Sequence, residues 1–134
     1  MNHKFSRIGA VAAGMLLAVA GAAFAGSKFA GSGRVVVTKN SDGSGSAIGY
    51  LGHIYNASTT NEYIGCQKYV TGGVLCHALS EARVHATCNS SSVYLGNAVG
   101  TLSPDARLMF RWNASGTCIG ISITHSSEFQ DKQG

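Results

Sequence analysis

Cysteine is the residue type whose number and spacing give this 134-residue sequence its clearest chemistry. The chain contains four cysteines, Cys66, Cys76, Cys88 and Cys118. In an oxidising compartment, an even number of cysteines in one small domain predicts disulfides, here two of them. The alternative is a four-cysteine zinc site, in which paired ligands are separated by about two to four residues. No two cysteines here are that close, so we predict two disulfides and no metal site.

The pairing of the cysteines depends on which hairpin brings two of them together. If a turn centres on Thr71, Cys66 faces Cys76 across it, and Cys88 pairs with Cys118. If the next hairpin sets the register, Cys76 faces Cys88, and Cys66 pairs with Cys118. The first alternative is slightly favoured, because its Thr-Gly-Gly turn is better defined.

Acidic residues are too few and too scattered to indicate an active site. The six acids are Asp42, Glu62, Glu81, Asp105, Glu128 and Asp131. Glycoside hydrolysis needs two carboxylates held about 5 to 10 Å apart, and no two of these acids are close enough in the sequence to suggest such a pair. We interpret most of them as charges in loops or at strand ends. The sequence predicts no catalytic residue and no cofactor.

The histidines give a weaker indication of chemistry. An antiparallel hairpin would place His77 and His85 on one sheet face, where two imidazoles could hold a metal ion. That face is opposite the inward cysteines and is predicted to face solvent, which favours ordinary surface residues. His53 and His125 have no neighbour that would activate a serine, and the serines lie in Gly/Ser-rich turns. The sequence therefore predicts no triad and favours a non-enzymatic protein.

Residues 1–25 have the features of a cleavable secretory signal peptide. Lys4 and Arg7 precede an apolar run, and the small-x-small sequence at 23–25 predicts cleavage after Ala25. The apolar run is rich in Ala and Gly and is shorter than the roughly 20 residues that span a bilayer. We therefore predict a secreted or periplasmic protein with no membrane anchor after cleavage. The composition of the leader is typical of a bacterial source.

Charge argues against nucleic acid as a partner. The full chain has a formal net charge of +4, and removal of Lys4 and Arg7 with the leader lowers this charge by two. The remaining cations form no cluster of the kind that neutralises several phosphates at once. We predict no nucleic-acid binding, which leaves a protein partner or self-association.

The exported chain is predicted to consist of an arm, one domain and a polar tail. Residues 26–46 are rich in Gly and Ser and carry one apolar run at 34–38, which predicts an arm with one strand and a hinge at 40–46. Residues 47–127 form the domain, and residues 128–134 form the tail. The strand of the arm is expected to pair within its own sheet. The alternative is that it adds to a neighbouring subunit.

Alternating apolar residues predict an antiparallel all-β domain. Residues 47–55 predict a strand covered on both faces, and residues 62–70, 74–79 and 83–89 predict a meander with inward cysteines. Residues 90–101 fit a strand or a helix, and we favour one short helix there. The expected fold is a small β-sandwich or flattened barrel of about six to eight short strands.

The last hairpin has the clearest cross-strand pattern. With a four-residue loop at 113–116, Trp112 opposes Thr117 and Phe110 opposes Ile119 on one apolar face. The same register turns Cys118 to the opposite face, which conflicts with the inward cysteines elsewhere. Two alternatives remain: a bulge after the loop, or a hairpin with both faces partly covered.

Two short motifs resemble small exported bacterial proteins of no assigned activity. They are Tyr-Ile-Gly-Cys at 63–66 and Trp-Asn-Ala-Ser-Gly-Thr-Cys at 112–118. Together with the cysteine spacing, the resemblance covers residues 46–127. It implies an exported, disulfide-bonded, β-rich protein and carries over no active site.

Three functions follow as hypotheses. The first is a secreted interaction or structural domain that self-associates through strand pairing, since few charges protect its sheet edges. The second is a small exported hydrolase in which His53, His77 or His85 meets an acid only in three dimensions. The third is a periplasmic inhibitor of a foreign enzyme.

Overall fold

The computed structural model describes residues 34–56 and 61–126, which form seven strands and two short helices. The elements are β1 (Val36–Lys39), β2 (Gly45–Tyr50), α1 (Leu51–Asn56), β3 (Tyr63–Lys68), β4 (Val74–Leu79), β5 (His85–Ser90), α2 (Val93–Val99), β6 (Arg107–Trp112) and β7 (Cys118–Thr124). The predicted leader, residues 26–33 of the predicted arm and the predicted tail lie outside the described residues.

The strands form two antiparallel sheets that share one core, as the sequence predicted. One sheet has the strand order β1-β2-β6-β7, and the other has the order β3-β4-β5. Their buried side chains form a single cluster whose largest fully buried members are Phe110, Leu108 and Val74. The strands described here do not close into a barrel, so the sandwich is the architecture observed.

The three-stranded sheet has the alternation predicted for the cysteine-bearing strands. In β4, Val74, Cys76 and Ala78 are completely buried, and in β5, Ala86 and Cys88 are buried as well. Side chains two residues apart share a sheet face. The intervening residues of both strands are half-buried or exposed. This sheet therefore has one core face and one outer face.

The predicted strand at 47–55 was wrong in its second half. β2 ends at Tyr50, and Leu51 begins α1. The backbone N–H of Leu51 donates to the carbonyl of Ala106 at 3.0 Å, and the chain then turns into the helix. A run that is apolar on every side fits a buried helical turn as well as a doubly covered strand. The sequence pattern therefore did not decide between them.

The Gly/Ser-rich segment at 40–46, predicted as a hinge, contains a tight turn. The N–H of Asn40 donates to the carbonyl of Ser44 at 2.8 Å, and Gly43 has a φ of 87°, which favours glycine. The indole N–H of Trp112 donates to the carbonyl of Gly43 at 3.0 Å and holds the turn against the sheet.

β1 pairs with β2 of the same chain, which is the pairing that we expected.

A β-bulge in the last hairpin resolves the conflict over Cys118. The register shifts beside Trp112, so that Trp112 opposes Cys118, while Phe110 opposes Ile121 instead of the predicted Ile119. The extra residue turns Cys118 into the core, where 2% of it stays exposed, and leaves Ile119 53% exposed. The bulge alternative is confirmed, and the simple register was wrong.

The short helix favoured for residues 90–101 is present as α2. Ser92 caps it, because its Oγ accepts a hydrogen bond from the N–H of Leu95 at 3.5 Å. Gly96 lies so close to the carbonyl of Gly72 in the β3–β4 turn that a Cβ atom would clash. α2 packs against β3, β4 and β7 and thus contacts both sheets.

Among the described residues, no helix is long and apolar enough to cross a membrane.

Glu62, interpreted from the sequence as a strand-end charge, is buried and connects the two sheets. Its Oε1 accepts hydrogen bonds from the backbone N–H groups of Val35, at 2.9 Å, and Glu81, at 3.2 Å. Val35 precedes β1, and Glu81 lies between β4 and β5. Only 6% of Glu62 is exposed. One carboxylate therefore joins the start of the four-stranded sheet to a turn of the other.

Replacing Glu62 by alanine should lower the free energy of unfolding by about 2 to 3 kcal/mol, because two backbone N–H groups lose their acceptor. Glu81→Ala is the matched control. The Glu81 carboxylate forms an ion pair with Arg34 at 2.9 Å near the surface, and such pairs contribute about 0 to 1 kcal/mol. Urea unfolding followed by circular dichroism measures both variants. If both variants lost the same free energy of unfolding, Glu62 would not have the structural role described here.

Deletion of residues 26–40 should unfold the domain, because it removes β1 and the buried side chain of Val35 from the four-stranded sheet. Circular dichroism and size-exclusion chromatography of the shortened chain measure this outcome. If the deleted protein remained a folded, stable monomer, β1 would not belong to the sheet in the way described here.

Candidate functional site

The four cysteines form two disulfides, with the pairing that the sequence favoured. Cys66 is bonded to Cys76 across neighbouring strands, and Cys88 is bonded to Cys118, which joins β5 of one sheet to β7 of the other. Cys76 lies opposite Cys66 on one side and opposite Cys88 on the other, so both predicted hairpin registers are present at once. The bulge at Cys118 decides the pairing, because it turns that side chain toward Cys88.

The sulfur atoms of Cys76, Cys88 and Cys118 lie within 4.8 Å of one another, as they would around a shared metal ion. All four cysteines of the chain are bonded in disulfides. The sulfur cluster therefore stabilises the core and presents no thiolate.

His77 and His85 lie on the outer face of the three-stranded sheet, diagonally across from each other, as predicted. His77 opposes Thr87, and His85 opposes Leu79. The ring of Tyr63 packs edge-on against both imidazoles, with centroids 5.4 Å from His77 and 6.4 Å from His85. These side chains border a shallow depression of about 420 Å³. Its described lining includes no carboxylate, so neither imidazole meets there the acid that a hydrolase would need.

β5 is an edge strand, and the first half of its outer edge has unpaired backbone groups. The N–H of Asn89 donates to the carbonyl of Gly116 at 3.3 Å, which lies away from β4. Backbone groups two residues apart along a strand point the same way, so those of His85 and Thr87 also point away from β4. Within residues 34–56 and 61–126, no strand pairs with them. They form a sheet edge to which an extended chain can add.

A groove lies beside this edge, between β5 and two loops of the other sheet. We call it the β5 groove and define it by Lys39, Gly43, His85, Thr87, Trp112 and Ser115. Its volume is about 490 Å³, which is within the range of ligand-binding sites. His85 and Thr87 also border the depression on the outer face, so the two cavities are adjacent. The groove and the unpaired edge together offer an extended peptide both space and hydrogen-bond partners.

Among the described residues that line the β5 groove, the only full charge is positive. Lys39 provides this charge, and no carboxylate is found among the described residues that line the groove. Asp42, in the adjacent turn, accepts hydrogen bonds from the N–H of Ser44 at 2.9 Å and from its Oγ at 2.6 Å. These bonds hold the pKa of Asp42 below its usual value. The Asp42 carboxylate is therefore ionised at neutral pH and is engaged within its own turn.

Sequence reasoning missed one cluster of catalytic residue types, formed by Ser103, Asp105 and His125. The Oγ of Ser103 donates to Oδ1 of Asp105 at 2.6 Å and lies 3.1 Å from Nδ1 of His125. In a catalytic triad the histidine lies between the acid and the serine. Here the serine lies between the acid and the histidine, and its proton is directed to the acid. The cluster links the chain before β6 to the chain after β7.

A second exposed surface, the apolar tip, consists of Tyr69, Val70, Val93 and Tyr94. Val70 and Tyr94 are the most exposed of the four, at 107% and 87%. Val70 is the last residue of the strand predicted at 62–70, but it lies in the turn after β3. That turn packs against the start of α2, with Gly72 against Val93. An apolar patch of this kind is typical of an interaction surface, but it does not specify a partner.

Removing the disulfide between the sheets should destabilise the protein more than removing the other one. The two bridges close segments with sequence separations of 30 and 10, for which chain entropy predicts about 4 and about 3 kcal/mol. The double variants Cys88→Ala/Cys118→Ala and Cys66→Ala/Cys76→Ala are compared by urea unfolding. If the Cys66→Ala/Cys76→Ala variant lost more free energy of unfolding than the other, this ranking would be wrong.

Comparison of the chain with protein-family models, with curated proteins and with solved structures finds no match. The similarity to small exported bacterial proteins therefore stays a prediction, and the function is argued from the residues and their geometry.

Proposed function

We propose that this chain is an exported, non-enzymatic interaction domain that binds an extended segment of a partner protein by strand addition at β5. The observation that carries the proposal is the unpaired edge of β5 beside the β5 groove. Strand addition provides affinity through backbone hydrogen bonds and specificity through alternate side chains. Both kinds of contact are available at His85 and Thr87.

The proposal includes a secreted or periplasmic location in a bacterium. The leader at 1–25 supports export. Two disulfides in a domain of this size support an oxidising compartment, where such bonds persist. An inhibitor of a foreign enzyme would be one member of this class of binding proteins.

The geometry supports binding better than it supports hydrolysis. Hydrolysis by a histidine requires a carboxylate or a serine that the histidine activates, inside a concave site. His77 and His85 line shallow cavities in which the described residues include no acid. His125 meets Ser103, but the hydroxyl of that serine donates to Asp105 at 2.6 Å. By contrast, the backbone groups of β5 are already arranged for strand pairing.

The proposal is tested by hydrogen exchange on the mature protein with added peptides. The probes are acetylated hexapeptides in which valine alternates with glutamate, serine or lysine. At least one of them should slow exchange at the N–H groups of His85 and Thr87 about tenfold or more, since strand addition pairs these groups. If none of the three slows exchange at these two positions, β5 is not a site of strand addition.

A substitution at the edge provides a second test. Thr87→Pro removes an edge N–H and leaves the hydrogen bonds between β5 and β4 in place, so it should weaken peptide binding about tenfold. Thr87→Val is the matched control, because it keeps the N–H and the shape of the side chain. Calorimetry measures the affinities, and circular dichroism confirms the fold. Equal binding by both variants would contradict pairing at Thr87.

A further inference from the structure

We infer that the β5 groove selects an extended segment that is acidic rather than basic. This inference rests on the proposed function, because it specifies the partner of the same edge. It follows from the unpaired edge of β5 and from the charge of the groove. The side chains of a strand added to this edge alternate between its two sides.

The two faces of β5 impose the alternation. The side chains of His85 and Thr87 point to the outer face, where Oγ1 of Thr87 lies 3.4 Å from Nε2 of His85. Between them, Ala86 points inward and is 2% exposed. A strand added to this edge continues the pleat. Its side chains therefore alternate between the polar outer face and the inner side of the groove.

The inner side offers little apolar surface to a partner. Trp112 lines the groove there, but only 5% of it is exposed, and Ala86 is 2% exposed. The one polar side-chain atom of Trp112, Nε1, donates to the carbonyl of Gly43 at 3.0 Å. Charge, rather than apolar packing, therefore distinguishes one partner from another at this groove.

The charge of the groove favours acidic residues. Lys39 supplies a cation, and His85 supplies an imidazole that can donate a hydrogen bond. The nearby Asp42 is held by Ser44 in its own turn and does not line the groove. The charge also argues against a second copy of β1 as the occupant, because residues 34–39 carry two cations and no acid. A carboxylate on the partner matches this edge better than a cation does.

The experiment compares the three hexapeptides on the mature protein, with Trp112 as the reporter. Trp112 is the one tryptophan of the chain, so its fluorescence reports occupancy of the groove directly. At an ionic strength of about 0.01 M, the valine–glutamate peptide should bind about tenfold more tightly than the valine–lysine peptide. The valine–serine peptide should fall between them. The preference should shrink as salt is added, since Lys39 is exposed.

Charge reversal identifies the source of the preference. Lys39→Glu should reduce the acidic-over-basic preference at least about fivefold, because the cation of the groove becomes an anion. Lys68→Glu is the matched control. This variant makes the same charge change at the opposite edge of the three-stranded sheet. There, Nζ of Lys68 donates a hydrogen bond to Oδ1 of Asn97 at 3.1 Å. The acidic-over-basic preference of the Lys68→Glu variant should lie within about twofold of that of the unchanged protein.

The outcomes separate this inference from the proposed function. If all three peptides protect His85 and Thr87 but bind equally, or if the lysine peptide binds best, the inference is wrong and strand addition stands. If no peptide protects these N–H groups, strand addition itself fails, and the inference fails with it. If the N–H groups are already protected in a dimer that dissociates on dilution, a second copy fills the edge and the inference is overturned.

Discussion

The disulfide between Cys88 and Cys118 is the constraint on which the rest of the structure depends. It is the disulfide that joins the two sheets, and it forms because a one-residue bulge turns Cys118 into the core. A domain this small buries a modest apolar area. A bridge that contributes about 2 to 4 kcal/mol is therefore a large share of a total stability of about 5 to 15 kcal/mol.

The same constraint shapes the proposed binding site. Next to the disulfide, Asn89 of β5 bonds to Gly116, so the far end of β5 is held against the other sheet. The first half of β5, with His85 and Thr87, remains an unpaired edge beside the groove. Charged side chains at sheet edges discourage pairing with identical chains. Lys39, which lines the groove, is suited to this role, since its charge repels a basic strand.

Elements built from local contacts were predictable, and elements that depend on distant residues were not. The meander of β3, β4 and β5 and the short α2 follow from alternation, turn residues and spacing within a few residues of each other. α1 was missed because its apolar residues Leu51 and Ile54 are partly buried against a core that other segments form. Glu62 was misread because its hydrogen-bond donors, Val35 and Glu81, lie 27 and 19 residues away. The proposed site was missed because it joins loops of one sheet to an edge of the other.

The sequence by itself determined the disulfide-bonded, antiparallel β class of this protein, because side-chain alternation and cysteine spacing are properties of short stretches of chain. It also narrowed the cysteine pairings to two. The tertiary structure decided which pairing forms, which strand keeps a free edge and which side chains line the groove. These features depend on the packing of two sheets and on one bulge beside Trp112, and neither leaves a periodic signal in the sequence.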